Sequence, residues 1–187
     1  DENLNISAYS LVDTTESDIP PKWEFVGLED VRLVHWDGEL WQVGVRRDTT
    51  PNGVGRMEMV KIGVEGNKVK ELSRDRMPAP PPNDSYCEKN WMPILDIPYH
   101  FVKWTNPTEV VKYDINNKTT ETVKVSPQAN IQTNDLRGGS QVIPYKNHYI
   151  CITHEVDLYW SEAGRKDADY WHRVIVWDKG FNIVHAS

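Results

Sequence analysis

The sequence is poor in cysteine and phenylalanine and has no basic run, no long apolar run and almost no helical periodicity; each absence narrows its function. There are 2 cysteines in 187 residues, Cys87 and Cys151, far apart and outside any CxxC spacing. A disulfide framework is therefore not indicated, and each thiol reads as a small core hydrophobe. The formal net charge is −7 with no cluster of Lys and Arg, which argues against nucleic acid as a partner, because phosphate neutralisation needs clustered cations. No window approaches the roughly 20 apolar residues of a membrane-spanning helix, so no membrane partner is expected. No signal-peptide pattern is visible either, and the reading leans to a cytoplasmic location as an expectation. The chain opens on Asp1 rather than methionine and reads as a processed or excised piece. The three Asn-x-Ser/Thr triplets, at Asn5, Asn83 and Asn117, decide nothing about compartment.

What is present is aromatic and polar at once. The chain carries 8 Trp and 8 Tyr against 3 Phe, so most rings have a polar atom at the tip. Such rings pack on one side and hydrogen-bond at the other, a surface suited to sugars.

Strand signals recur along the chain. Val31 to Trp36 and Glu39 to Val45 flank Asp37-Gly38, the strongest short-range hairpin signal. Strands at Met57 to Ile62 and Lys68 to Leu72 follow and complete a meander. A second unit runs from Trp91 to Leu95, Tyr99 to Trp104, Glu109 to Tyr113 and Thr120 to Val125. A third comprises Gln141 to Tyr145, His148 to Val156, Trp171 to Trp177 and Asn182 to His185. The first hairpin turns of these units are offset by about 60 and 49 residues, a spacing of propeller blades or similar all-β repeats.

The fold expected is all-β, a β-propeller of four-stranded antiparallel blades, with a sandwich of about a dozen strands as the competing architecture. Residues 1–187 read as one propeller domain or fragment, with blades at about 29–72, 90–125 and 140–187. Asn5 to Val12 read as the outer strand of an earlier, incomplete blade. Three blades cannot close a ring of at least four, which implies another chain or domain completing it. Residues 77–84 hold four prolines in a five-residue stretch and read as a stiff surface linker. Ser161 to Asp169 read as a polar insertion long enough to cover a site mouth. Trp36 and Trp177 read as core.

Before the first strand of each unit lies a polar cluster: Glu29, Asp30 and Arg32; then Glu88, Lys89, Asn90 and Trp91; then Arg137, Gly138, Gly139, Ser140 and Gln141. First strands line a propeller's channel, so the clusters are expected to meet at one end of it. Carboxylates beside guanidinium and ammonium groups can hold sugar hydroxyls and an anionic group together. A carboxyl crowded by others can stay protonated as a general acid, which glycoside cleavage requires. The same residues have plain alternatives: an ion pair between blades, an exposed turn, a loop entering a strand. His154, Glu155 and His172 lack the tight spacing of a metal site, and none is assigned.

Glu29-Asp30-Val31-Arg32 resembles the Glu-Asp-Pro-Arg signature of glycoside hydrolase family 130, five-bladed propellers that phosphorolyse or hydrolyse β-mannosides. The related glycosyltransferase family 108 shares that fold. Glu88 to Pro93 is similar to the Lys-containing segment opening a later blade. Arg137 to Gln141, His154-Glu155 and Tyr170-Trp171-His172-Arg173 are similar to segments of propellers found beside glycosyltransferases. The resemblance implies that Asp30 is the general acid, acting through a sugar hydroxyl. It implies that Arg32, Lys89 and Arg137 hold phosphate, with His154 and His172 nearby, and that Glu88, Asn90 and Gln141 bind sugar hydroxyls. Trp91 and Tyr170 would be stacking surfaces, and Glu29, Glu155 and Arg173 complete the candidate set. No cofactor is implied beyond inorganic phosphate as co-substrate; the partner would be an oligosaccharide or glycoside. Val31 replaces the signature proline and Glu155 a glycine, so a non-catalytic glycan-binding or scaffold propeller of a larger glycosyltransferase-type protein is the other reading.

Overall fold

The computed structural model of the protein describes residues 9, 11–14, 18–82, 85–133 and 135–187. Among them every regular element is a strand. The first sheet holds β1 (Val12–Asp13), β2 (Leu28–Trp36), β3 (Glu39–Arg46), β4 (Arg56–Glu65) and β5 (Lys68–Arg76), in the order β1-β5-β4-β3-β2. The second holds β6 (Met92–Pro93), β7 (His100–Trp104), β8 (Glu109–Asp114) and β9 (Thr119–Val125) in sequence order. In the third, β10 (Arg137–Gly138) and β11 (Ile143–Tyr145) both pair with β12 (His148–Trp160), followed by β13 (Lys166–Asp178) and β14 (Ile183–Ala186). The meanders are antiparallel, as short hairpin connections dictate. Asp37 and Gly38 both have positive φ, 52° and 79°, the conformation that a two-residue turn needs to match strand twist.

Alternation in the strands decides how the sheets stack. In the second sheet Phe101 and Val111 are register partners on one face, and Val102 and Val110 on the other. The first pair joins Trp36, Trp41, Val43, Met57, Met59 and Trp91 in a core against the first sheet. The second pair joins Met92, Ile94, Tyr149, Cys151, Ile175 and Trp177 in a core against the third. The middle sheet is thus buried on both sides.

Trp36 is the tie at the centre. Its indole N–H donates to the carbonyls of Ile94 and Leu95 at 3.1 and 3.2 Å, and its ring meets Tyr99 and Phe101 edge-on. The first and third sheets meet along their inner margins, where Arg32 reaches the Gly139 carbonyl and Gln141 donates to the Leu33 carbonyl. Ile94, just after β6, and Val142, just before β11, form an isolated parallel bridge between the inner margins of the second and third sheets. Three sheets packed face to face and sharing inner edges form an all-β, propeller-like array.

Several sequence expectations need correction. Val12–Asp13 belongs to no earlier blade: it pairs in parallel with Val69 and Lys70 on the outer edge of the first sheet, while residues 5–8 and 10 lie outside the described residues. The proline-rich stretch is not wholly on the surface. Met77 is buried in the first core and donates its backbone N–H to Met57 at 2.9 Å, extending the β5 ladder, and Pro80 is buried too; residues 83–84 lie outside the described set. The strand expected over Trp91 to Leu95 shrinks to Met92–Pro93, because Asn90 sits at φ 62° and Pro93 cannot donate to a ladder. The insertion expected at Ser161 to Asp169 is partly strand: Lys166–Asp169 pair with Asp157–Trp160, and residues 161–165 form the turn between them. Both cysteines are free thiols, Cys151 buried in the second core and Cys87 half-buried.

Candidate functional site

The inner margins carry the site. The segment entering β2 is anchored from behind: Gly27 donates its N–H to Asp48 at 2.9 Å, and Asp48, wholly buried, is held by Arg46 at 2.5 Å. The ladder to β3 then slips between Glu29 and Arg32, and Asp30 takes φ 54°. Such a bulge re-aims side chains at a sheet margin. Here it lifts Asp30 out of the strand pairing and leaves it exposed at the rim.

On the third sheet two glycines allow the approach. A Cβ on Gly138 would overlap the Asn90 carbonyl oxygen and lie 2.8 Å from Met92 Cγ; one on Gly139 would lie 2.7 Å from the Ile152 carbonyl oxygen. The backbone of β10 therefore rests directly on the segment preceding β6.

Two adjoining cavities result. The smaller, about 310 Å³, is lined by Asp30, Val31, Arg32, Asn90, Gly138, Gly139 and His154. The larger, about 400 Å³, includes Glu88, Lys89, Asn90, Trp91, Lys103, Trp104 and Arg137 in its wall. Asn90 and Gly138 line both, so residues from all three sheets surround one mouth. Among the described residues no cluster suited to a metal ion is present.

The electrostatics follow from this crowding. Burial pushes the Arg32 guanidinium down from its ordinary value, and Asp30 opposes the shift. Three of its N–H groups face carbonyls, of Gly139 at 3.2 and 2.7 Å and of Asp30 at 3.2 Å, which leaves two of five donors. The His154 imidazole is pulled below its ordinary 6.5, first by burial and then by Arg137 and His172, while Asp30 opposes them. A histidine so depressed contributes stability that is fully present above its unfolded value and is lost as pH falls through the folded one. In an NMR titration His154 is expected to have a midpoint below 6.5 that rises when phosphate binds; a midpoint at or above the ordinary value would contradict the crowded cationic mouth.

Asp30, Arg32, Lys89, Asn90, Arg137 and His154 thus share the mouth. His172 is the register partner of His154, and the Tyr170 ring lies 5.6 Å from the His154 ring and is exposed. Others of the expected set are engaged elsewhere. Glu88 is buried, accepting from Ser85 at 2.9 Å and from the Trp91 indole at 3.0 Å, with Lys103 at 3.6 Å; its oxygens are committed inside the protein. Trp91 is 1% exposed and belongs to the core rather than offering a stacking face. Glu155 and Arg173 pair at 2.5 Å on the face of the third sheet opposite His154, so the carboxylate that would have repelled an anion is neutralised and turned away. Gln141 is consumed by the Leu33 carbonyl. Glu29 is a register partner of Val45 and is absent from the smaller cavity's wall.

Sequence reading missed Trp104 and Lys103. Trp104 is 46% exposed beside the larger cavity and supplies the ring that Trp91 does not. Lys103 lies between Glu88 and Glu109 at 3.6 and 3.7 Å. The alternation His100-Phe101-Val102-Lys103-Trp104 held the signal, since two polar-tipped residues end an otherwise buried strand.

The fold and this mouth define an all-β, propeller-like protein with a mixed cationic and acidic site at the margin shared by its sheets. No family model matches the chain, and no curated protein matches it. A solved structure of MPT-4, a mannose phosphorylase from Leishmania mexicana in complex with phosphate ion, aligns over 100% of this chain and 73% of its own, at 10% identity and a TM-score of 0.40.

Proposed function

We propose that the mouth binds a sugar and a phosphate group together, and that the protein acts on the glycosidic bond of a β-mannoside, by phosphorolysis in preference to hydrolysis or mannosyl transfer. The observation that carries this reading is the meeting of Arg32, Lys89 and Arg137, from three separate inner segments, around cavities that share Asn90 and Gly138. Guanidinium and ammonium groups on one concave surface suit a phosphate; Asn90, Asp30 and the Trp104 ring suit a sugar.

The carboxylate inventory favours phosphate as nucleophile. Hydrolysis by the common mechanisms needs two working carboxyl groups, yet Glu88 and Glu155 are committed to internal partners, and Asp135 stands 3.3 Å from Arg137. Asp30 is the acid in the smaller cavity's wall. In phosphorolysis one acid suffices. An oxygen of dihydrogen phosphate bonds to the anomeric carbon as that carbon's bond to the leaving oxygen breaks. The Asp30 carboxyl protonates the leaving oxygen, and the proton given up by phosphate restores the carboxyl.

Incubation with β-linked mannobiose and inorganic phosphate is expected to yield mannose 1-phosphate. Asp30→Asn is expected to lower turnover by about 100-fold or more while leaving phosphate affinity within a few-fold. Full turnover by that variant would remove Asp30 from the chemistry. Phosphate and sugar binding with no product from the unmodified protein would support the non-catalytic glycan-binding reading, which the exposure of Asp30 favours.

A further inference from the structure

β12 and β13 are the longest strands, 13 residues each, paired without interruption from His148↔Asp178 to Trp160↔Lys166. Their neighbours do not follow them. β10 pairs with β12 as far as His154, and the β14 ladder on β13 continues past Ile175 to the Val174 carbonyl, which accepts from the Ser187 N–H at 3.1 Å. Among the described residues the hairpin beyond Glu155 and Trp171 has no further ladder partner, and it rises as an arm from the rim of the mouth. The arm exposes large apolar groups.

The two faces of the arm differ. Register places His154 and His172, Val156 and Tyr170, Leu158 and Ala168, and Trp160 and Lys166 on one face. That face holds no carboxylate. Leu158, Trp160 and Tyr170 are 67%, 68% and 58% exposed, and the Lys166 ammonium lies 6.0 Å from the Trp160 ring centre. Asp157, Tyr159, Asp167, Asp169 and Trp171 alternate onto the other face. The carboxylate-free face begins at His154, in the wall of the smaller cavity, and climbs about 20 Å to Trp160.

We infer that this face of the arm is an extended subsite for an oligosaccharide whose reactive end sits in the mouth, the chain lying along Tyr170, Leu158 and Trp160. The inference rests on the reading of the mouth as a sugar and phosphate site. Rings spaced along a strand, with imidazoles and an ammonium at the two ends, suit the apolar faces and hydroxyl edges of successive sugars. Continuity with the mouth gives the chain its direction.

The test is the dependence of affinity on chain length, measured calorimetrically with β-linked manno-oligosaccharides of two to five units. In the unmodified protein affinity is expected to rise about tenfold over the series. Leu158→Ser with Trp160→Ala should flatten that rise to within about twofold, and Trp171→Ala, on the opposite face, should keep it. No rise in the unmodified protein, a rise that survives the double variant, or equal loss in the Trp171 control would overturn the inference. A dimer in sedimentation that dissociates on the double substitution would overturn it as well, by making the arm an interface. Inorganic phosphate titrated into the same preparations reports on the mouth separately. Phosphate bound without a length effect removes the arm alone; neither bound removes both.

Discussion

Replacing Gly138 with alanine is expected to destabilise the protein by about 3 kcal/mol and to disable the mouth at the same time. The new methyl would overlap the Asn90 carbonyl and stand 2.8 Å from Met92 Cγ. The carbonyl is backbone in a segment already held at φ 62° by its own geometry, so it has little freedom to retreat. Overpacking against fixed atoms costs about 1–3 kcal/mol and can exceed this range. The displaced β10 carries Arg137, so phosphate affinity should fall with stability. Urea unfolding and phosphate calorimetry on the same sample check both. Alanine at Gly66, where a Cβ meets nothing within 4 Å, is the comparison: it should strain a turn of positive φ and leave phosphate affinity unchanged.

Trp36→Ala should cost about 3–5 kcal/mol, the range for deleting a buried aromatic side chain. This indole is 1% exposed and is shared by the first two sheets. Its loss opens a cavity bounded by Tyr99 and Phe101 and removes the indole donor from the Leu95 and Ile94 carbonyls, the second of which keeps the Ile97 N–H at 3.3 Å. For a chain of this length the melting temperature should fall by about 10 °C. Trp36→Phe keeps most of the volume and removes the donor, so it should cost far less than alanine. Equal losses from both would mean that the hydrogen bonds, rather than the packing, join the sheets.

The parts of the fold written in local chemistry were legible. Asp37-Gly38 specifies a turn because both residues tolerate positive φ, and the runs beside it alternate with period two. The order of polar clusters ahead of successive meanders was legible too, and it brings Asp30, Lys89 and Arg137 to one margin. What depended on register was not. Glu88 could not be seen as sequestered, because its partners Ser85 and Trp91 sit in a segment without regular structure. Glu155 and Arg173 face each other diagonally across two strands, a relation fixed only once His154 is known to pair with His172. The length of β12 and β13 was hidden because Asp157, Asp167 and Asp169 are poor strand formers that exposed pairing tolerates. Arg32 reaching Gly139, 107 residues away, left no mark in either segment.

The convergence of three sheets on a single mouth is tested most directly by titrating inorganic phosphate into isotope-labelled protein and following backbone amides. The amides of Arg32, Asn90, Gly139 and His154 are predicted to shift together along curves that fit one dissociation constant. Shifts confined to one of these segments, or separate constants for each, would show that the inner margins do not form a common site.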